Sequence, residues 1–166
     1  TPHKKKQAKV IINNVRKTII RDQLTDPKFY EKMSKLLDDL IKQKRDDTES
    51  YEEFLKKAEA LVRQMAGKSS TATYPSVLHG HPQAIVLFNN LASVPASNFQ
   101  CPDDEDQKAD LALEIDRAMH EKAPAGWKGD DTRVKQVLNA LFPLLARDRV
   151  ATMAIFEIIK NQPGYA

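Results

Sequence analysis

The segments YEKMSKLLDDLI (residues 30–41) and YEEFLKKAEALVRQM (residues 51–65) decide the fold. In the first, Tyr30, Met33, Leu36, Leu37, Leu40 and Ile41 recur at spacings of three and four. In the second, Tyr51, Phe54, Leu55, Ala58, Leu61, Val62 and Met65 do the same. This is the period of one buried face on an α-helix, and Lys, Asp and Glu fill the other faces. Residues 42–48 between them are too few and too polar to be anything but a turn, and a short connection makes two helices antiparallel neighbours. The expectation is a helical hairpin over residues 26–66 that serves as the base for the rest of the chain, since an apolar stripe must be buried against something. Asp26-Pro27 supplies a cap and a first helical residue. Asp47, Thr48 or the Ser50/Glu53 capping box starts the second helix, and Gly67 closes it.

Working outward, 166 residues suit one domain of ordinary size, able to bury a continuous core without staples. Hydrophobic residues are 41% and charged residues 30%. Only 5 Gly and the lack of alternating β-branched runs argue against a sheet. The reading is therefore all-α, an irregular bundle of about six to eight helices in a single domain, residues 1–166. The lone Cys101 rules out an intrachain disulfide and a cysteine metal cluster, and fits a reducing, cytoplasmic setting. No apolar run approaches the roughly 20 residues of a membrane span, so no membrane partner is expected. The N-terminal lysines are not followed by the apolar core of a signal peptide. A first residue of Thr rather than Met suggests an excised piece of a longer chain.

Net charge is +3, but its distribution says more. In residues 1–24, Lys4, Lys5, Lys6, Lys9, Arg16, Lys17 and Arg21 face a single acid, Asp22. Ile11, Ile12, Val15, Ile19 and Ile20 give an apolar stripe, whereas Lys6, Lys9, Asn13, Arg16 and Lys17 share another face. Such a face either binds phosphates, with Lys6, Lys9, Arg16 and Lys17 as the DNA-binding candidates, or is simply solvated.

Motifs that would carry catalysis fail on spacing. Gly67-Lys68-Ser69 imitates the end of a phosphate-binding loop, but Val62 stands where the first Gly is required. His79 and His81 are two apart in a loop with no clear third ligand, so no metal is expected. The acids of residues 103–106 with Lys108 have the letters of a metal-dependent nuclease site, yet all lie in one loop entering a helix, where the helix dipole already explains them. Residues 82–91 read as a short helix that is apolar on most sides and therefore central, with Asn89 and Asn90 near its end. Further helices run over about 105–121, from 130–132 to Pro143, and from near Asp148 to Asn161. In the turn over residues 126–130, the only Trp, Trp127, is a partner-binding anchor rimmed by Lys128 and Asp130, a plug over the bundle, or both.

Taken in order, the segments 29–37 (FYEKMSKLL), 41–45 (IKQKR), 51–55 (YEEFL), 88–91 (FNNL) and 126–130 (GWKGD) resemble the C-terminal region of the R subunit of type I restriction enzymes. The likeness covers roughly residues 8–141. It implies a helical module that docks the motor on the methyltransferase core, made of the M and S subunits, and lies near DNA. ATP and Mg²⁺ are implied for the whole subunit, which is an ATP-dependent deoxyribonuclease, whereas no catalytic residue and no cofactor carries over to this stretch. The alternatives are a generic helical interaction domain, or a small metal-dependent enzyme in which folding gathers His79, His81, His120 and the acids of residues 103–106.

Overall fold

The hairpin forms where the apolar spacing puts it, as α2 (Pro27–Arg45) and α3 (Tyr51–Ala66) in a computed structural model. The structure describes residues 2–45, 51–67 and 74–165, with the backbone alone at residues 2–4, 44 and 45. Asp26 starts α2 as expected. It is fully buried, its carboxylate accepts the Phe29 N–H at 3.3 Å, and its carbonyl accepts the Tyr30 N–H. The caps proposed for α3 at Asp47, Thr48 and Ser50 lie outside the described residues. Gly67 follows α3 and donates its N–H to the Arg63 carbonyl.

A third helix, α1 (Pro2–Asp22), packs against both arms of the hairpin. Tyr30, Met33 and Leu37 of α2 meet Leu61 and Met65 of α3, with Val15 and Ile19 of α1 between them. At the other end, Leu40 meets Phe54 and Ala58, with Ala8 of α1. Early α2 thus pairs with late α3, so the hairpin is antiparallel, and α1 runs against α2. Not every residue of the expected stripes is inside. Leu36 is 38% exposed, Val62 46% and Ile20 64%, while Leu37 is 2% exposed. Each exposed residue sits about 100° round the helix from a buried neighbour, outside the arc that two partners can cover.

The chain divides into two compact units, residues 1–69 and 70–166. The first holds the three helices α1 to α3, and the second has its own, larger core. Overlooked at the sequence level was that a buried helix of its own, at residues 82–91, supplies an independent centre.

In that second unit α4 (Pro82–Asn90) is buried on nearly all sides, as its composition predicts: Ala84, Ile85, Val86, Leu87 and Phe88 are all inside. Asn90 is buried too and donates to the Val86 carbonyl of its own helix. α5 (Glu105–Lys122) lies along α4, where the fully buried Ala109 and Ala112 permit close approach. α6 (Asp131–Leu141) packs on α5, and α7 (Arg149–Lys160) on α6. Pro143 ends α6 in a 3₁₀ turn, Phe142–Leu145, because it lacks the N–H a longer helix would need. All seven α-helices and the short 3₁₀ turns among the described residues are joined by loops, with no strand: the fold is all-α. No helix among them is long and apolar enough to cross a membrane.

In the second unit α5, α6 and α7 each start at an aspartate cap, whereas α4 starts at His81 without a side-chain cap. Asp104 accepts from Gln107 N–H, and Asp130 from the N–H groups of Thr132 and Arg133. Asp148 does more. One carboxylate oxygen accepts the Ala151 N–H of α7, and the other accepts three successive N–H groups, of Ser97, Asn98 and Phe99, at 2.6–2.8 Å. The loop before α5 is thereby tied to the start of α7. Burial by itself would raise the Asp148 pKa, but the N–H groups of Phe99, Ala151, Asn98 and Ser97 outweigh it and hold the carboxyl well below the usual carboxylate range.

Candidate nucleic-acid interface

The periodicity of α1 separates its two faces. Ala8, Val15 and Ile19 are buried, with Ile11 and Ile12 half-buried beside them. Lys6, Lys9, Asn13, Arg16 and Lys17 are all exposed, as is Lys5. The offsets of three, four, three and one from Lys6 keep these side chains within about a third of the helix circumference, opposite the core. From Lys6 to Lys17 the stripe runs about 16 Å at 1.5 Å per residue. That is roughly the rise of five nucleotides along one strand of duplex DNA. Among the described residues none of Lys6, Lys9, Arg16 and Lys17 makes an ion pair. Arg21, at the end of the helix, is engaged instead by Asp22, with two contacts of 3.0 Å. The stripe therefore presents cations that no carboxylate of the described residues neutralises.

Charge is divided between the units in the same sense. In residues 1–69 Lys and Arg exceed Asp and Glu by six, whereas in residues 70–166 the acids exceed by three, giving the chain its +3. The three-helix unit is the cationic one, and α1 is its most one-sided helix. Exposed Ile20 lies on the basic side of α1, and Val10 at its edge, adding apolar surface there.

The turn over residues 126–130 is arranged differently from an interface anchor. Gly126 and Gly129 have φ of +66° and +83°, left-handed values that a side chain disfavours, so the two glycines bracket Trp127 in the one conformation that turns it inward. Trp127 is 1% exposed. Its indole N–H donates to the Tyr165 carbonyl at 2.9 Å, and its ring lies 5.8 Å from that of Phe156. Lys128 donates to the Gln162 carbonyl and reaches back over the indole, and Asp130 caps α6. Of the two sequence readings, the plug is the one the geometry describes. Lys128 and Asp130, named with Trp127 for partner binding, each make hydrogen bonds within the unit.

The residues named for a metal-dependent enzyme are scattered, with one exception. Asp104 is a helix cap, and Lys108 sits over the Phe88 ring at 4.3 Å. His79 is exposed, 3.3 Å from the Tyr74 carbonyl. His81 and His120, however, both face Asp116, at 3.9 and 3.2 Å. Asp116 is buried and accepts a hydrogen bond from the Tyr165 hydroxyl. Burial, then the hydrogen bond and the charge of Asp116, push the Tyr165 pKa far up. Asp116 gave no sequence signal beyond being one acid on a mostly apolar helix face, and Tyr165 lay past the last expected helix. The group fastens the C-terminal turn Pro163–Tyr165 to α5 and to Trp127. Among the described residues no three His, Cys, Asp or Glu side chains are disposed to hold a metal ion. Cys101 is half-buried, and burial raises its thiol pKa, which disfavours the nucleophilic thiolate.

No family model matches the chain, and neither does any curated protein or solved structure.

Proposed function

We propose that this chain is a non-catalytic module of a type I restriction motor subunit, which contacts DNA through α1 and assists assembly with the methyltransferase core. The observation that carries the DNA half is the exposed stripe Lys6, Lys9, Arg16 and Lys17, without an ion pair among the described residues and set on the more cationic unit. Cations of this kind neutralise phosphates and read no bases, so binding is expected to be independent of sequence. The assembly half rests on the resemblance of residues 29–37, 41–45, 51–55, 88–91 and 126–130 to the R subunit. These segments are divided between the two units, and several have an evident folding role: Tyr30, Met33 and Leu37 in one core, Phe88, Leu91 and Trp127 in the other. ATP and Mg²⁺ belong, in this reading, to other parts of the subunit, and the site of specificity to a separate subunit.

Two experiments test the halves separately. For DNA, fluorescence anisotropy of a labelled duplex of arbitrary sequence is compared between the chain and a variant carrying Glu at positions 6, 9, 16 and 17. Binding lost in the variant, with unchanged melting, is the expected result; equal binding by both would remove α1 from the proposal. For assembly, the immobilised chain is expected to retain a purified type I methyltransferase through a wash at physiological salt. Failure to retain it at micromolar concentration would leave the resemblance without its functional consequence.

A further inference from the structure

Within the second unit, α6 and α7 leave a groove of about 390 Å³ between them. Leu138 and Phe142 form its wall on the α6 side, and Thr152 and Met153 on the α7 side. Lys135 and Arg149 stand at the rim, and no carboxylate lines it. Three large apolar side chains are exposed in the described part of this unit, Val77, Val150 and Met153, and Met153 lines this groove. The unit as a whole carries an excess of acids, yet its groove shows two exposed cations, and neither is engaged in an ion pair among the described residues. Thr152 is already satisfied by the Asp148 carbonyl, so the floor offers mainly apolar contact.

We propose that this groove docks an acidic amphipathic helix of a partner protein. A trench between two helices takes a third helix by its apolar face, read through anchors one turn apart. An apolar floor open to water gains by being covered. Two unpaired cations on the rim select acidic flanks and disfavour basic ones. Phosphates would account for Lys135 and Arg149 but not for the apolar strip of Leu138, Phe142 and Met153 beside them, so the observations favour a protein helix over nucleic acid. The inference does not rest on the DNA-binding reading of α1, which concerns the other unit.

The probe is a designed helical peptide with Leu and Phe on one face and Glu on its flanks, alongside the same peptide with Lys for Glu. Anisotropy titrations with the full chain are expected to show saturable binding of the acidic peptide and at least about tenfold weaker binding of the basic one. Lys135→Glu with Arg149→Glu is expected to reverse that preference. If this variant melts below the assay temperature, Lys135→Ala with Arg149→Ala is used, and a loss of about tenfold is expected. Met153→Glu is expected to weaken the acidic peptide as well. No saturable binding of the acidic peptide, or binding indifferent to all of these changes, would overturn the proposal. So would a loss of duplex binding in the Lys135/Arg149 variants, which would assign these cations to phosphates. Glu at positions 6, 9, 16 and 17 is expected to leave peptide binding intact, and a peptide lost by that variant would place its site on α1 instead.

Discussion

Replacing Trp127 by Ala separates a structural plug from a partner anchor, and the geometry fixes the size of the effect. A tryptophan buries about 150–250 Å², worth roughly 4–6 kcal/mol at about 25 cal/mol per Å². Measured truncations of buried aromatic residues cluster at about 3–5 kcal/mol, because the cavity collapses only in part. The indole is 1% exposed and rests against Phe156, so little of its area is open to relaxation into solvent. The lost indole N–H also leaves the Tyr165 carbonyl without that donor, a further loss of about 1 kcal/mol. Trp127→Ala is therefore expected to destabilise the second unit by about 4 kcal/mol, a large share of the roughly 5–15 kcal/mol typical of a domain. Trp127→Phe keeps most of the ring contact and is expected to cost about 1–2 kcal/mol. Urea unfolding followed by far-ultraviolet circular dichroism measures both. A loss below about 1 kcal/mol for Trp127→Ala would refute the plug, since such small values belong to surface positions.

Three further outcomes follow from the same geometry. Leu37→Ala is expected to cost about 2–5 kcal/mol and Leu36→Ala under about 1 kcal/mol, because the first is 2% and the second 38% exposed, and equal losses by chemical denaturation would misplace the buried face of α2. The Asp148 carboxyl has its pKa depressed in the fold, so its contribution to stability is present above its unfolded pKa of about 4 and is lost as pH falls through and below that value. An Asp148→Asn variant should show a flatter decline of melting temperature below about pH 4 than the parent, and identical acid profiles would contradict the cradle at residues 97–99. Tyr165 has its pKa raised in the fold, so the stability it contributes is full below the unfolded value of about 10 and declines as pH rises beyond it, whereas Tyr165→Phe should lose about 1–3 kcal/mol at neutral pH and lack that part of the alkaline decline.

Helix content was legible because apolar spacing reports burial on a single face. Tyr30, Met33, Leu37, Leu40, Phe54, Ala58 and Leu61 were readable in that way, and all are inside. The same pattern also included Leu36, Val62 and Ile20, since spacing gives a helix face only to within one residue's arc and the width of that face depends on how many neighbours cover it. Division into two units was not legible, because local periodicity is blind to which stripes meet. Residues 82–91 show the difficulty: their all-round apolarity announced a centre, but not that it was a second one. The aspartate cap at Asp26 followed from sequence, whereas the reach of Asp148 to residues 97–99 joins positions about fifty apart. The basic face of α1 was read directly, because a helix facing solvent needs no tertiary information to place its charges. Trp127 left two readings open, and its burial followed only from Phe156 and Tyr165, which lie about thirty or more residues away.

The central claim, that α1 engages nucleic acid through the exposed cations of one face, is tested most directly by the salt dependence of duplex binding. Each phosphate neutralised contributes about −0.9 to the slope of log affinity against log salt. Four contacts, from Lys6, Lys9, Arg16 and Lys17, predict a slope of about −3 to −4 for the parent chain. Restoring one native side chain at a time to the variant carrying Glu at all four positions should recover the slope in steps of about one. A flat salt response in the parent, or a steep one that persists with all four positions changed to Glu, would contradict the claim.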